Sequence, residues 1–116
     1  MNQKLSFQDI IKYTNEVAVE IEKKESKPWS PEIIFIELTK QVGDLASRIM
    51  MFEKYYTKDR LDDPKYFTNK EKLADELGDI MLMVMRIAKK YDLNMEKSYM
   101  DMLRDTMKWL GKNPNF

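Results

Sequence analysis

Apolar residues in this chain recur at intervals of three and four, so its longer stretches can bury a stripe only as helices. In the first, from about Leu5 to Glu25, Phe7, Ile10, Ile11, Thr14, Val17, Ala18 and Ile21 share one face. Ser26-Lys27-Pro28-Trp29 interrupts it. Ser30-Pro31, an N-cap residue followed by a first-turn proline, opens a second helix. Its stripe is Phe35, Leu38, Val42, Leu45, Ala46 and Ile49, and it can reach Tyr56. Thr57 to Phe67 is polar, and Asp62-Asp63-Pro64 reads as a turn or loop. Thr68-Asn69-Lys70-Glu71 has the pattern of a capping box and starts a third helix. Leu73, Leu77, Ile80, Val84, Ile87, Ala88 and Tyr91 form its core side. Asn94 caps a fourth, which ends near Leu110 at Gly111 with Pro114 beyond.

Only 3 Gly and 4 Pro in 116 residues leave too little turn material for a many-stranded sheet. One all-α domain over residues 1–116 is expected, an up-and-down four-helix bundle with no linker inside it. Ile80-Met81-Leu82-Met83-Val84-Met85 is apolar all round a helix. A helix so covered is buried on most sides, either as the centre of one bundle or against a second copy. A four-helix chain of this length offers little such space, so dimerisation through helices is expected. Most of the 10 Met follow from the same packing, because Met fills irregular gaps.

The chain has no His and no Cys. That excludes disulfides, thiol nucleophiles, thiolate or imidazole metal sites and a Ser-His-Asp triad. Any metal is then a hard cation on oxygen ligands: Mg²⁺, Mn²⁺ or Ca²⁺. With 20 Lys+Arg against 20 Asp+Glu there is no basic footprint for a nucleic-acid polymer or an anionic membrane. The longest apolar run is the six residues Ile80–Met85, against roughly 20 for a membrane span. Met1 to Leu5 shows no apolar h-region of a signal peptide, and a cytoplasmic location is expected.

Two segments resemble each other: Gln41-Val42-Gly43-Asp44-Leu45 in the second helix and Glu76-Leu77-Gly78-Asp79-Ile80 in the third. A glycine inside a helix costs roughly 1 kcal/mol against alanine. Its repetition suggests close backbone approach, with the two segments facing each other. Glu37, Gln41 and Asp44 fall at i, i+4 and i+7, one line beside the apolar stripe; Glu76 and Asp79 are neighbours at i and i+3. Met83 continues that second line and takes it inward. If the helices pack as the glycines suggest, three or four acids converge at the edge of the core. A divalent cation relieves their repulsion. The plainer alternative is a solvated charged face, which a chain of 34% charged residues has in quantity.

With these residues in view, the chain resembles the MazG-like, all-α nucleoside triphosphate pyrophosphatases. The likeness runs from Trp29-Ser30-Pro31-Glu32 through Gln41-Val42-Gly43-Asp44-Leu45-Ala46 and Asp75-Glu76-Leu77-Gly78-Asp79-Ile80 to Asp92-Leu93-Asn94, about three-quarters of the chain. That family carries a Glu-x-x-Glu pair on one helix and a Glu-x-x-Asp pair on the next. The resemblance implies Mg²⁺, or Mn²⁺ in its place, bound by the four acids and gripping the triphosphate of a nucleotide. Water is then directed at the bond between the α and β phosphates, giving a nucleoside monophosphate and pyrophosphate. It also implies a homodimer or homotetramer.

Position by position, Glu76 and Asp79 match the family's metal ligands and Asp44 is a conservative match. Gln41 stands where the family has its first Glu, with Lys40 before it where a second Glu is frequent. An amide oxygen ligates Mg²⁺ but carries no charge and accepts no proton as a base. Glu37, one turn earlier, is the candidate to compensate. Lys40 either meets phosphate or lies exposed. On the last helix the family often has a Lys and an Asn that contact nucleotide; here Arg104 and Lys108, at i and i+4, either serve phosphate or form a solvated face. Trp29, Tyr55, Tyr56 and Trp109 are able to stack a base, with core or rim packing as the simpler role. The expected function is therefore a Mg²⁺-dependent nucleotide pyrophosphohydrolase with an altered acid set, in which Gln41, Asp44, Glu76 and Asp79 act at the reacting phosphates. The alternatives are a MazG-like dimer that has lost catalysis and serves as a nucleotide-binding or protein-interaction module, and a bundle whose acids hold structural Ca²⁺.

Overall fold

The structure, a computed structural model, describes residues 4–116, so part of the Met1–Leu5 stretch, where no signal-peptide h-region is expected, lies outside the described residues. It is all-helical: α1 (Phe7–Glu22), α2 (Pro31–Phe52), the short α3 (Lys58–Asp62), a 3₁₀ turn (Pro64–Tyr66), α4 (Lys70–Lys90) and α5 (Met95–Trp109). No helix among the described residues is long and apolar enough to cross a membrane.

Each long helix starts where a short polar side chain takes up free backbone N–H groups. Ser6 and Asp9 cap α1 reciprocally: Asp9 N–H donates to Ser6 Oγ at 3.1 Å and Ser6 N–H to Asp9 Oδ2 at 3.0 Å. These bonds favour the carboxylate and hold Asp9 below its ordinary pKa. Ser30 receives Ile33 N–H, with Pro31 in the first turn of α2, and Asn94 receives Lys97 N–H at the start of α5. At α4 the cap falls one residue later than the capping-box pattern predicts. Asn69 is the N-cap, its Oδ1 accepting from Lys72 N–H at 2.9 Å, and the hydroxyl of Thr68 is buried without a partner.

Three of the helix ends share one geometry. α2, α4 and α5 each close with a left-handed residue: Lys54 (φ 62), Asp92 (φ 54) and Gly111 (φ 76). After each, the next N–H reaches back five residues, Tyr55 to Met50, Leu93 to Ala88 and Lys112 to Met107, at 2.8–2.9 Å. The turn at Lys54 stops α2 at Phe52, short of the Tyr56 that its pattern allows, and part of the expected 57–67 loop is helical.

α4 is the centre of the molecule, packed against α2 on one side and α1 on the other. Among the described residues the buried ones are Ala18 from α1, Ile34 from α2, and Met83, Met85, Ala88 and Arg86 from α4. They gather at the C-terminal half of α4, where Arg86 fastens the α1–α2 connection. Its Nη2 donates to Glu25 Oε1 at 3.2 Å, and its guanidinium lies 5.0 Å from the Trp29 ring centroid. Lys90 adds a looser pair to Glu22 at 3.7 Å. Several residues of the expected stripes are exposed instead, among them Ile10, Val17, Phe35, Val42, Ile49, Leu77 and Tyr91, and α5 buries none of its residues. The run Ile80–Met85 is accordingly only partly covered, with Met83 and Met85 inside and Met81 exposed.

Candidate functional site

The opposite half of α4 faces a cavity of about 500 Å³, within the size range of small-molecule sites. α2 supplies Asp44, Ser47, Arg48 and Met51 to its wall, α4 supplies Glu76, and the stretch after α2 closes it with Tyr56, Arg60, Lys65, Tyr66 and Phe67. Two expected acids thus meet at one cavity from two packed helices. Glu76 is largely buried there and accepts from Arg48 Nε at 2.6 Å, a short charge-assisted bond that ties α2 to α4.

The other expected site residues divide. Glu37 lies on the same line of α2 as Asp44 but is engaged locally. Lys40 Nζ is 3.3 Å from Glu37 and 3.7 Å from Asp44, and the Glu37 bond, with both negative charges, raises the Lys40 pKa above its ordinary value. Gln41 Nε2 makes a long bond to Glu37 at 3.4 Å, while its Oε1 is buried without a partner. Asp79 is exposed and does not line the cavity, although Met83 beyond it is buried as expected. Arg104 and Lys108 stand apart on α5. Arg104 Nε donates to the Phe116 carbonyl at 2.7 Å, with Asp101 3.6 Å away, and Lys108 is exposed. Of the four aromatics, Tyr56 lines the cavity and Trp29 stacks on Arg86, whereas Tyr55 and Trp109 are exposed.

The close approach expected at the paired glycines is absent within one chain. A Cβ built on Gly43 or Gly78 meets nothing within 4 Å, because both lie on exposed faces. Gly78 instead edges an apolar groove between α1 and α4.

Among the described residues no three acids lie close enough to form a metal cage. The donor set still suits Mg²⁺, which is held by one or two carboxylates with water and substrate phosphates completing the octahedron. Asp44 and Glu76 on one cavity provide that number, and the unpartnered Gln41 Oε1 is a further hard donor on the same helix. The cations on the wall are what motif reasoning missed. Arg48, Arg60 and Lys65 carry no spacing signal of their own. The one available clue was that Arg48 follows Asp44 at i+4 and so shares its side of α2. Comparison with known proteins returned no matching family model, no matching curated protein and no matching solved structure.

Proposed function

We propose that this protein is a Mg²⁺-dependent nucleoside triphosphate pyrophosphohydrolase of the MazG-like type, releasing a monophosphate and pyrophosphate. The observation that carries the reading is the cavity between α2 and α4, which joins two carboxylates, Asp44 and Glu76, to three cations and three aromatic rings. Phosphates need the cations, a base suits the rings, and a hard metal suits the acids. The bound metal would neutralise phosphate charge and activate water. Glu76 would hold it once Arg48 is drawn off by phosphate, and Asp44 would hold it or orient the attacking water. Asp79 reaches the site only through rearrangement of α4 or with a second copy.

A second copy belongs to the same proposal. α5 and the outer faces of α1 and α4 leave apolar residues open, and a homodimer would complete the bundle that one chain leaves unfinished.

The catalytically weakened binding module is the second reading. Gln41 in place of an acid, and Glu37 and Glu76 held by Lys40 and Arg48, favour it.

Incubation with a panel of nucleoside triphosphates and Mg²⁺ separates the two. The enzyme predicts equal release of monophosphate and pyrophosphate, reduced at least about 100-fold in Asp44→Asn and Glu76→Gln, the scale on which charge-stabilising groups act. No release above a buffer blank, with none restored by Gln41→Glu, leaves only the binding module. Release of single phosphate contradicts the assigned bond.

A further inference from the structure

The chain between α2 and α4 carries no acidic motif, yet it forms a whole wall of the cavity. Arg60 lies between two rings, its guanidinium carbon 4.4 Å from the Tyr56 centroid and 5.0 Å from the Tyr66 centroid. Lys65 Nζ sits 5.5 Å from the Tyr66 centroid. Neither cation forms an ion pair with a carboxylate among the described residues, whereas Lys58, two residues before Arg60, is paired with Asp62 at 2.7 Å. A guanidinium stacked on rings is fixed in orientation while its N–H donors, which lie in its own plane, stay free for an acceptor. Arg60 held between two rings and Lys65 beside one of them line the same cavity as Asp44 and Glu76, and together they form a receptor for a polyanion that also carries the metal. Phe67, which also lines the cavity, is 61% exposed, a large apolar ring open to solvent over much of its surface.

We propose that residues 56–67 form the substrate clamp of this cavity. Arg60 and Lys65 bind the phosphates of a nucleoside triphosphate, and Phe67 stacks its base. The identity of the ligand rests on the pyrophosphohydrolase reading; the anion receptor itself does not. Stacking on an aromatic face is tolerant of base identity, so the clamp selects for a triphosphate on an aromatic base more than for one base.

Calorimetric titration of inorganic tripolyphosphate and of ATP into the full chain in EDTA tests the clamp without turnover. Wild type binds both. Arg60→Ala and Lys65→Ala each weaken both ligands about tenfold, the scale of one hydrogen bond to a charged group. Arg60→Lys, which keeps the charge and loses the planar fork, falls between. Phe67→Ala leaves tripolyphosphate unchanged and weakens ATP. All three positions carry exposed side chains, so circular dichroism stays at the wild-type level. Unchanged tripolyphosphate affinity in the Arg60→Ala/Lys65→Ala double variant, or no binding of either ligand by wild type, overturns the clamp. The two readings fail separately. Binding that follows this pattern without pyrophosphate release under Mg²⁺ removes the hydrolase and keeps the clamp. Hydrolysis with an unchanged KM in the double variant removes the clamp and keeps the hydrolase.

Discussion

At the residue scale Arg86 is the buried charge among the described residues, 2% exposed in α4. A guanidinium so placed is tolerable only when paired and hydrogen-bonded. Glu25 and Trp29 meet that demand in part. Nη2 donates to Glu25, while Nε has no partner and Glu25 Oε2 accepts no hydrogen bond although Nη1 is 3.1 Å away. Removing one partner therefore strands the other charge in an apolar setting. Glu25→Ala is expected to destabilise the fold by about 3–5 kcal/mol, read as a lower urea midpoint at unchanged m. The paired replacement Glu25→Leu/Arg86→Met should recover most of that loss, because the desolvation of two charges disappears with them. A double replacement as unstable as the single one would show that the ion pair contributes net stability. Glu76 differs in this respect. Its partner Arg48 is one-third exposed, so the pair can open to solvent or to a ligand, as a binding site requires.

At the scale of elements, helix existence was legible and helix limits were legible only where a residue type announces them. Ser30-Pro31, Asn94 and Gly111 stand where their chemistry places them, since a short polar side chain or a glycine is the simplest solution at those positions. Lys54 and Asp92 end helices in the left-handed region without the glycine that usually does so, and for that reason the apolar pattern of α2 runs four residues past its end at Phe52. The 57–67 stretch is composed like a loop, so its short helix and 3₁₀ turn were not visible, nor was the cavity wall they build. Thr68 illustrates the ambiguity at a helix start, where Thr68 and Asn69 both have capping side chains and only packing decides. Asn69→Ala is expected to cost about 1 kcal/mol through loss of the cap on Lys72 N–H. Thr68→Val should be neutral or stabilising, because it removes a buried hydroxyl with no partner and keeps the shape. Thermal melts of the two variants decide which residue caps α4; equal losses would mean that the hydroxyl is used.

For the whole molecule the periodicity told which residues are apolar and not what covers them. The chain exposes 9279 Å², about 2,600 Å² more than the roughly 6,700 Å² that surface scaling gives a compact monomer of this size. Its radius of gyration is 17.9 Å, where about 13 Å suits a compact chain of this length. Covering half of that excess on each of two copies would bury about 2,600 Å² in all, inside the range of obligate dimers. The groove between α1 and α4, about 360 Å³ and lined by Ile10, Tyr13, Val17, Met81 and the bare backbone of Gly78, is where the proposed second copy would sit. The glycine sharpens the test. If solvent covers Gly78, Gly78→Ala gains up to about 1 kcal/mol of helix propensity, and nothing within 4 Å of the new methyl opposes it. If a second copy packs its helix there, the methyl enters the contact and the dimer weakens. Sedimentation equilibrium is expected to show a wild-type dimer, a looser one in Gly78→Ala and monomer in Met81→Lys, with wild-type melting temperature falling on dilution as mass action requires. A monomeric wild type whose Gly78→Ala variant melts higher would return both glycines to the single chain and leave their likeness without a structural role.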